Sequence, residues 1–509
     1  MCGIAAIIDP AGTAEGPDRT AARQRELAAM LGRIRHRGDP GCFGESRAEA
    51  GAALGTNRLA IVDREHARQP QSDPTGRYLL AYNGELYGFR QLRAELERRG
   101  HAFRTASDTE VVVHAYLEWG EAMLDRFNGM FAFVLYDRVT GGFLAARDHI
   151  GIKPLYYAVR DGEYRFASEQ KCLLGFSSDI RVVAPGTYLR DGREHRWFHL
   201  DDTPLELTER EAVERYGELF EAAVRGQLDT DLPVAVAFSG GIDSAAVLAV
   251  ALEHHPDVTA VTVGFDGAAD LAVARRYCRE RGVRQIVSRL DAAGLVSVIP
   301  EVVRGTEFFE AVDVMDSCVG YFVYRAARRH GFKLALCGEG SDEVLAGYDL
   351  FATHPDPAGL MRYRVGNLHR TDLQRVDRTS MMHSIETRVP FMDRYLLEFA
   401  YRVPMRMKLR GGVEKWLLRE AFRDRLPAYV RDRRKIRMPD GSGMKNTLAE
   451  YAAARAGRDD ESTRRLGIDT PQGRYFLRAY LEAGFPPPGE RNRRVGHDYS
   501  PNGYFEFVA

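Results

Sequence analysis

The pattern of apolar residues changes near residue 208, and this change most restricts the folds open to the chain. Beyond that point, short apolar runs typical of buried strands alternate with longer segments of helical periodicity. The expected strands are residues 234–238, 258–264 and 333–337, and the expected helices are 209–228, 245–254, 271–282 and 321–330. Strands that alternate with helices indicate a parallel sheet with helices on both faces. The second part of the chain is therefore predicted to be a doubly wound α/β domain.

The first 200 residues predict a different, β-rich domain with interleaved helices. Its expected strands are residues 3–8, 59–62, 78–82, 130–136, 143–146 and 155–159, and its expected helices are 20–35, 89–99 and 109–118. Because 509 residues are too many for one core and residues 201–204 have the composition of a linker, we expect domains at 1–205 and 206–509. The chain is expected to be mainly helical up to about residue 450, and its last 50 residues, rich in Arg, Gly and Pro, to be partly mobile.

Composition excludes several classes of protein. A formal net charge of −1 creates no global field toward nucleic acid or an acidic membrane. Six cysteines without CxxC spacing argue against a zinc site or a disulfide framework and favour a reducing compartment. The chain has no run of about eighteen apolar residues, and its N-terminus lacks the pattern of a signal peptide. We therefore expect a cytoplasmic protein that binds neither nucleic acid nor membranes.

Cys2 is a candidate nucleophile. Removal of Met1 would leave a cysteine that carries its own free α-amine beside the thiol. An α-amine titrates at a pKa of about 8, so it can accept the thiol proton without help from a histidine. The alternative is an incidental thiol, and position 2 alone does not decide between the two.

A glycine-rich loop, Ser-Gly-Gly-Ile-Asp-Ser at residues 239–244, lies between an expected strand and an expected helix. Such a turn aims backbone N–H groups and a helix N-terminus at an anion. It lacks the Gly-Lys-Ser/Thr of the Walker pattern and resembles the pyrophosphate-binding loop of ATP pyrophosphatases, which adenylate a substrate. Asp243 suits Mg²⁺, which usually takes one or two carboxylates together with phosphate oxygens. A generic glycine turn is the alternative, although all six residues together are rare in one.

A second loop, Gly-Glu-Gly-Ser-Asp-Glu at residues 338–343, also follows an expected buried strand. Carboxylates at the carboxyl edge of a parallel sheet suit a ligand site, whereas the alternative is a solvated acidic turn. Asp342 is expected to share Mg²⁺ with Asp243, and Glu339 is a candidate base for an incoming amine. Lys435 lies in a basic run that is either a solvated face or a source of charge for a transferring nucleotide.

These motifs occur together with others in a fixed order. The further motifs are Cys-Gly-Ile at 2–4, Asn-Gly-Glu-Leu-Tyr at 83–87, Ser-Asp-Thr-Glu at 107–110, Phe-Ala-Ser-Glu at 166–169 and Glu-Thr-Arg-Val-Pro-Phe-Met-Asp at 386–393. Over nearly its whole length the chain resembles the glutamine-hydrolysing asparagine synthetases of the bacterial B type. The resemblance implies an N-terminal Ntn-type αββα glutaminase joined to an ATP-pyrophosphatase synthetase domain. It implies a ligase that adenylates a carboxylate with ATP and amidates it with ammonia from glutamine.

The resemblance also implies roles for individual residues. Cys2 would attack the carboxamide of glutamine, and Asn83 with the Gly84 N–H would form the oxyanion hole. The glutamine-binding residues would be Arg58, Asn83, Glu85 and Asp108. Lys435 would stabilise the adenylated intermediate, and the nucleotide would be held by Ser239, Gly240, Gly241, Asp243, Ser244, Val263, Asp270, Gly338 and Glu339. Glutamine, ATP with Mg²⁺, and a carboxylate acceptor such as aspartate are the expected small-molecule partners, and a homodimer is an open expectation.

The chain departs from the family pattern at two places. Where the family usually has Arg-Gly-Pro-Asp, residues 37–40 are Arg-Gly-Asp-Pro, so the turn beside the glutamine site is expected to differ locally. In the acceptor segment, Met315 stands where an ungapped alignment places an arginine, and four acidic residues lie nearby. Either some of these carboxylates face solvent, or the acceptor is larger or less anionic than aspartate. A ring-closing synthetase or a non-catalytic nucleotide-binding homologue is less favoured, because Cys2 and both sheet-edge loops are intact.

Overall fold

The computed structural model of the protein describes residues 1–11, 16–457, 463–464, 466, 468, 470–488, 492–495 and 504–507. The chain divides into two compact units, the first spanning Met1–His199 and the second beginning at Leu200. The last 50 residues are expected to be partly mobile, and 19 of them lie outside those described. None of the helices in the described part of the chain combines the length and apolar content that a bilayer crossing requires.

The first unit contains two six-stranded sheets and three α-helices among its described residues. The strands of the first sheet are β1 (Cys2–Ile8), β2 (Glu45–Glu49), β3 (Ala52–Arg58), β8 (Tyr156–Arg160), β9 (Glu163–Ala167) and β10 (Arg181–Val182). The strands of the second sheet are β4 (Gln71–Ser72), β5 (Tyr78–Leu86), β6 (Gly129–Asp137), β7 (Phe143–Arg147), β11 (Thr187–Arg190) and β12 (Arg193–Arg196). The helices are α1 (Pro17–Arg33), α2 (Phe89–Arg98) and α3 (Asp108–Trp119).

Alternating side chains make these sheets the inner layers of a four-layer sandwich. From β1, Ile4 and Ala6 enter the core between the sheets, where they meet residues of the second sheet such as Val134. Their neighbours on the opposite face, including Ala5, pack with Leu27 and other residues of α1. Helices α2 and α3 bury apolar residues against the outer face of the second sheet. The αββα architecture expected for the first unit is confirmed.

The second unit is built on a five-stranded parallel sheet in the order β15-β14-β13-β16-β17. Its strands are β13 (Val234–Ala237), β14 (Val258–Gly264), β15 (Gln285–Arg289), β16 (Leu334–Leu336) and β17 (Glu386–Arg388). Its first helices are α4 (Glu209–Gly226), α5 (Ile242–His254), α6 (Ala269–Arg281), α7 (Ala292–Ser297), α8 (Ile299–Thr306) and α9 (Ala311–Arg329). The doubly wound fold expected for this unit is confirmed.

Short helices and two small strands make up the rest of the unit. The helices are α10 (Ser341–Val344), α11 (Asp349–Thr353), α12 (Pro357–Asn367), α13 (Asp372–Met381), α14 (Arg394–Arg402), α15 (Trp416–Ala421), α16 (Ala428–Arg431), α17 (Met438–Gly441), α18 (Lys445–Ala454) and α19 (Pro471–Glu482). The strands, β18 (Asn492–Val495) and β19 (Tyr504–Phe507), pair with each other in antiparallel register.

Strand order determines where this unit can bind a ligand. β13 pairs in parallel with β14 on one side and with β16 on the other, so the order in which strands are added to the sheet reverses between β13 and β16. In open α/β sheets, ligands bind outside the carboxyl ends of the strands at such a reversal. The loop at residues 239–244 follows β13, and the loop at 338–343 follows β16, so both motifs flank this crevice.

Two secondary-structure predictions were wrong in detail. Residues 59–62, predicted as a strand, form no ladder and instead follow β3 as a buried loop in which Leu59 is 2% exposed. The apolar run reflects burial of a loop against the core, which periodicity cannot distinguish from a strand. The helix predicted at 321–330 begins ten residues earlier, at Ala311, so the acidic acceptor segment is helical.

Candidate active sites

Cys2 opens the first strand of the glutaminase-like unit. It pairs with Arg58 in the antiparallel register of β1 and β3, and it is 5% exposed. The backbone N–H of Cys2 donates to Asn83 Oδ1 across 2.9 Å. Removal of Met1 would convert this nitrogen into the α-amine, so Asn83 already holds the group that is expected to act as the base.

Asn83 and Gly84 lie side by side on β5. Asn83 is fully buried, and its Nδ2 has no hydrogen-bond partner among the described residues, which leaves a donor for a ligand. At Gly84, an added Cβ would lie 2.5 Å from the carbonyl oxygen of Met130 on β6. Only glycine fits this position, because a side chain would force β5 and β6 apart.

The predicted glutamine-binding residues lie at the ends of three elements. The Arg58 guanidinium donates to the backbone carbonyls of Val62, Asp63 and Arg64, which curl the loop after β3 around it. Glu85 is buried two residues beyond Asn83, on the same face of β5. At the first turn of α3, Asp108 Oδ2 accepts the Tyr82 hydroxyl at 3.0 Å and the Leu86 N–H at 3.2 Å.

Asp63 links the loop after β3 to the loop before α3. Its backbone has a left-handed φ of 43°, and its Oδ2 accepts the Ala106 N–H across 2.8 Å. The loop that carries the carbonyls around Arg58 is therefore tied directly to the segment that presents Asp108.

The permuted Arg-Gly-Asp-Pro turn has a structural consequence. Asp39 Oδ2 accepts the Ala60 N–H at 3.0 Å, and its backbone N–H donates to the Arg58 carbonyl at 2.9 Å. The preceding Arg37 donates from Nε to the Cys2 carbonyl at 3.1 Å and from Nη1 to Glu169 Oε1 at 2.8 Å. This turn thus fastens both β1 and the loop after Arg58.

The second unit contains an open cavity of about 940 Å³ at the carboxyl edge of its parallel sheet. Most of the predicted nucleotide-binding residues line it: Ser239, Asp243, Ser244, Val263, Asp270, Gly338 and Glu339. The predicted metal ligand Asp342 and the predicted catalytic residue Lys435 also line it. Gly241 lines an adjoining smaller cavity, together with Lys415 and Arg433.

The loop after β13 is shaped to receive an anion. Gly240 has a φ of +79°, and a Cβ there would lie 3.0 Å from the Ala274 nitrogen, so glycine lets the loop pack on α6. The Gly241 N–H lies 3.3 Å from Ser239 Oγ, and Ser244 Oγ donates to the Gly241 carbonyl at 3.1 Å. These bonds hold the turn at the N-terminus of α5, where the helix dipole favours negative charge.

Two lysines lie between the carboxylates of the two loops. Lys415 Nζ is 2.6 Å from Asp243 Oδ2 and 2.6 Å from Asp342 Oδ1, while Lys435 Nζ is 2.5 Å from Asp342 Oδ2. Although burial opposes ionisation, the two ammonium groups hold the pKa of Asp342 below its usual range. Two carboxylates, each from the first turn of the helix that follows a different strand, thus converge on one cationic position.

Glu339 faces the cavity beside a buried guanidinium. Its Oε2 lies 3.3 Å from Arg375 Nη2, and Arg375 comes from α13. Burial raises the pKa of Glu339 to about 7, although Arg375 partly opposes the rise. A carboxylate whose pKa lies near neutrality has the proton affinity required of a general base.

One face of α9 forms the remaining wall of the cavity. The lining residues Asp316, Val319, Gly320 and Val323 follow the spacing of one helical face, whereas Met315 is not among them. Position 315, which the ungapped alignment indicates as the position that selects the acceptor, therefore does not line the cavity, whereas the next residue, Asp316, does. Asp316 Oδ2 lies 3.1 Å from Arg437 Nη2 and 3.7 Å from Arg375 Nη1.

Comparisons with known proteins identify both units. A family model described as glutamine amidotransferase domain matches residues 1–196, and one described as asparagine synthase matches 215–365 and 352–495. Asparagine synthetase B [glutamine-hydrolyzing] of Escherichia coli (strain K12) is 32% identical over 522 residues, covering 96% of this chain and 92% of the relative. The chain belongs to the glutamine-hydrolysing asparagine synthetase family.

Other comparisons extend the similarity to plants. Asparagine synthetase [glutamine-hydrolyzing] 2 of Arabidopsis thaliana is 34% identical over 472 residues, covering 87% of this chain and 79% of the relative. A solved structure titled as the allosteric regulatory enzyme of purine biosynthesis gives a TM-score of 0.32 at 18% identity, covering 56% of this chain and 80% of that chain. Membership of the synthetase family makes this protein a glutamine-dependent ligase that forms C–N bonds.

Sequence reasoning missed two cavity residues of this synthetase. Lys415 is 1% exposed and adopts a left-handed φ of 56° just before α15. The pair Gly411-Gly412 precedes it closely, but no strand leads into that pair, so the pattern of the two sheet-edge loops is missing. Arg375 lies within a helix whose residues are all buried, and its sequence neighbours resemble an ordinary amphipathic segment. Arg304 and Arg325, the arginines that flank the acidic acceptor segment in sequence, are absent from the described lining, and the Arg325 guanidinium lies 4.3 Å from the centre of the Phe322 ring.

The residues present fit the nucleotide and the metal that the family resemblance implies. Asp243 and Asp342 supply two oxygen donors, and the cation now between them is the Lys415 ammonium group. Val261 and Val263 provide an apolar surface at the end of β14. Asp270 contributes a carboxylate that pairs with Arg433 across 2.6 Å, and burial raises the Asp270 pKa even though Arg433 opposes the rise.

Proposed function

We propose that this protein adenylates a carboxylate acceptor with ATP and amidates it with ammonia released from glutamine. The products would be the amide, glutamate, AMP and pyrophosphate. One observation carries the proposal. The chain combines a terminal cysteine beside an unpaired buried amide donor with a sheet-edge cavity that gathers the carboxylates and lysines of an adenylating site.

In the glutaminase unit, the thiol proton of Cys2 would pass to its own α-amine. The sulfur would then form a bond to the glutamine carbonyl carbon, and the electron pair would move to an oxygen that Asn83 Nδ2 and the Gly84 N–H stabilise. Return of the α-ammonium proton to the leaving nitrogen would release ammonia and leave a thioester. Water would hydrolyse the thioester to glutamate. Arg58 would hold the glutamine carboxylate, and Glu85 and Asp108 its ammonium group.

In the synthetase unit, an acceptor carboxylate oxygen would bond to the α-phosphorus of ATP while the bond to the β-phosphate oxygen breaks. The loop at residues 239–244 would hold the departing pyrophosphate. Asp243 and Asp342 would hold Mg²⁺, which when bound neutralises phosphate oxygens, and Lys415 and Lys435 would face the same phosphates.

Amide formation would follow at the adenylated acceptor. The nitrogen of ammonia would bond to the acyl carbon, the bond to the phosphate oxygen would break, and AMP would leave. Glu339 would take the proton that the attacking nitrogen loses, because its pKa of about 7 lies between those of a typical carboxylate and an amine.

Aspartate is the acceptor that family membership favours, and Arg375 supplies a buried cation for one of its carboxylates. A carboxylate of lower charge is the second candidate, and the surroundings of Arg375 favour it. Arg375 already faces Glu339, Asp313, Asp316 and Asp372, so little positive charge is left for a doubly anionic acceptor. The apolar residues of α9 and Val376 would suit a less polar body.

A panel of carboxylic acids distinguishes the acceptors. Each acid would be incubated with the full-length protein, ATP, Mg²⁺ and glutamine, and pyrophosphate, AMP and amide would be measured. Equal yields of AMP and amide for any acid would support the reaction. Absence of acid-dependent pyrophosphate release across the panel, with glutaminase activity intact, would contradict the adenylation half of the proposal.

A further inference from the structure

Gln69 is a buried amide to which the reaction above assigns no role. It precedes β4 and is 6% exposed. Its Nε2 lies 3.8 Å from Cys2 Sγ, although 67 residues separate the two in sequence. A neutral thiol is only a weak acceptor, but a thiolate carries a full negative charge, and hydrogen bonds to charged groups are the stronger ones.

The orientation of the Gln69 amide is set by its other end. Gln69 Oε1 accepts the Tyr82 backbone N–H at 2.8 Å and lies 3.4 Å from Thr56 Oγ1. A backbone N–H can only donate, so the amide oxygen must face Tyr82 and the NH₂ group must face the sulfur. Tyr82 directly precedes Asn83, so one short stretch of β5 orients Gln69 and also holds the Cys2 nitrogen.

We propose that the side-chain N–H of Gln69 donates a hydrogen bond to Cys2 Sγ and stabilises the nucleophile as a thiolate. The inference rests on the glutaminase half of the proposed function and adds a residue to it. Asn83 would donate a hydrogen bond to the oxygen of the substrate, and Gln69 would donate one to the attacking sulfur. Among the described residues, Arg37, which donates to the Cys2 carbonyl, and Arg58, opposite Cys2 in the sheet, are cations that also lie beside this residue, in addition to the α-amine that Cys2 itself would carry.

Two substitutions separate the donor from a structural role. Gln69→Glu keeps the size and the oxygen that accepts the Tyr82 N–H, but it removes the donor to sulfur. Gln69→Met also removes the donor and adds no charge. Gln71→Met is the matched control. Gln71 lies two residues further along the chain than Gln69, and its amide donates to the carbonyl of the adjacent Ser72.

The readout is the rate at which iodoacetamide alkylates Cys2 as a function of pH, followed on the N-terminal peptide by mass spectrometry. We expect the pH at which the alkylation rate is half-maximal to rise by about one unit in Gln69→Met and by more in Gln69→Glu. Glutaminase kcat/KM at pH 7 should fall roughly tenfold in Gln69→Met, with KM changed less than about twofold, and Gln71→Met should match the wild type.

The proposal is overturned if Gln69→Met leaves the alkylation midpoint where it is in the wild type. It is also overturned if Gln69→Glu, with its oxygen still on Tyr82, behaves as wild type in both assays, since a purely structural glutamine would predict that result. Thermal unfolding of each variant shows whether it is folded. If Gln69→Met does not fold, Gln69→Glu alone carries the test. Alkylation requires neither glutamine nor an acceptor, so failure of the proposed reaction would leave this test valid.

Discussion

Arg375 Nη2 lies 3.3 Å from Glu339 Oε2, which places a buried guanidinium beside the carboxylate proposed to take a proton from ammonia. Arg375 comes from α13 and Glu339 from the loop after β16, so the pair joins a helix to the sheet edge. An acceptor bound beside this pair would place its carboxylate near the cation and its reacting carbon near the base. The chemistry of the synthetase unit can therefore be tested residue by residue.

Replacing Cys2 by alanine should separate the two activities. We expect glutamine hydrolysis to fall by at least roughly a thousandfold, since the nucleophile is lost, while synthesis from ammonium salts continues. Glutamate release and amide formation would be measured in parallel, with Cys42→Ala as the control thiol variant. Equal loss of both activities in a folded Cys2→Ala protein would show that the cysteine is structural.

Replacing Asp243 or Asp342 by asparagine should stop adenylation. Each change removes a charged oxygen donor from the position between the two loops, so we expect pyrophosphate release to fall by at least about a hundredfold. Glutaminase activity should persist, and Asp349→Asn, an exposed change on α11, is the control. Wild-type magnesium dependence in both Asp variants would exclude these carboxylates from the metal site.

Glu339 should determine the pH dependence of amide formation. Because its carboxyl group has a pKa of about 7, the rate per concentration of free NH₃ should rise with pH and level off above about 7. We expect Glu339→Gln to remove this limb and to slow amide formation about a hundredfold, with pyrophosphate release changed less than about threefold. An unchanged pH limb in the variant would assign the titration to another group.

The same raised pKa affects stability. A carboxyl whose pKa is higher in the folded state contributes stability that is complete below its unfolded pKa, near 4.5, and is lost as the pH rises through about 7. Glutamine stays neutral, so Glu339→Gln should gain stability relative to the wild type between pH 5 and pH 8. Chemical denaturation of both proteins across this range measures the difference, and parallel curves would contradict it.

Asp316, and not Met315, should control how well aspartate is accepted. Asp316 lines the cavity, so Asp316→Asn removes a negative charge that repels a doubly anionic acceptor, and we expect the KM for aspartate to fall roughly tenfold. Met315→Arg should change it less than about twofold. Pyrophosphate release against aspartate concentration is the measurement. A lower KM for aspartate in Met315→Arg, with an unchanged KM in Asp316→Asn, would restore the assignment of position 315 made from the alignment.

Much of the fold follows from local patterns that the sequence displays directly. The continuous apolar run of β1 predicts a strand buried on both faces, and the strand-loop-helix order around residues 239–244 predicts the anion-binding turn. The loop at 59–62 shows where this reasoning fails, because an apolar run records burial without recording hydrogen-bond partners.

By itself, the sequence determined the family, the αββα and doubly wound classes, and the motifs that carry Cys2, Asn83, Asp243 and Glu339. Tertiary structure alone decided which distant side chains meet these motifs. Lys415 contacts Asp243 although 172 residues separate them in sequence, and Gln69 contacts Cys2 although 67 residues separate them. The neighbouring sequence indicates neither contact. The physical reason is that periodicity and turn chemistry act over a few residues, whereas the partner of a buried charge or thiol depends on how separate elements pack.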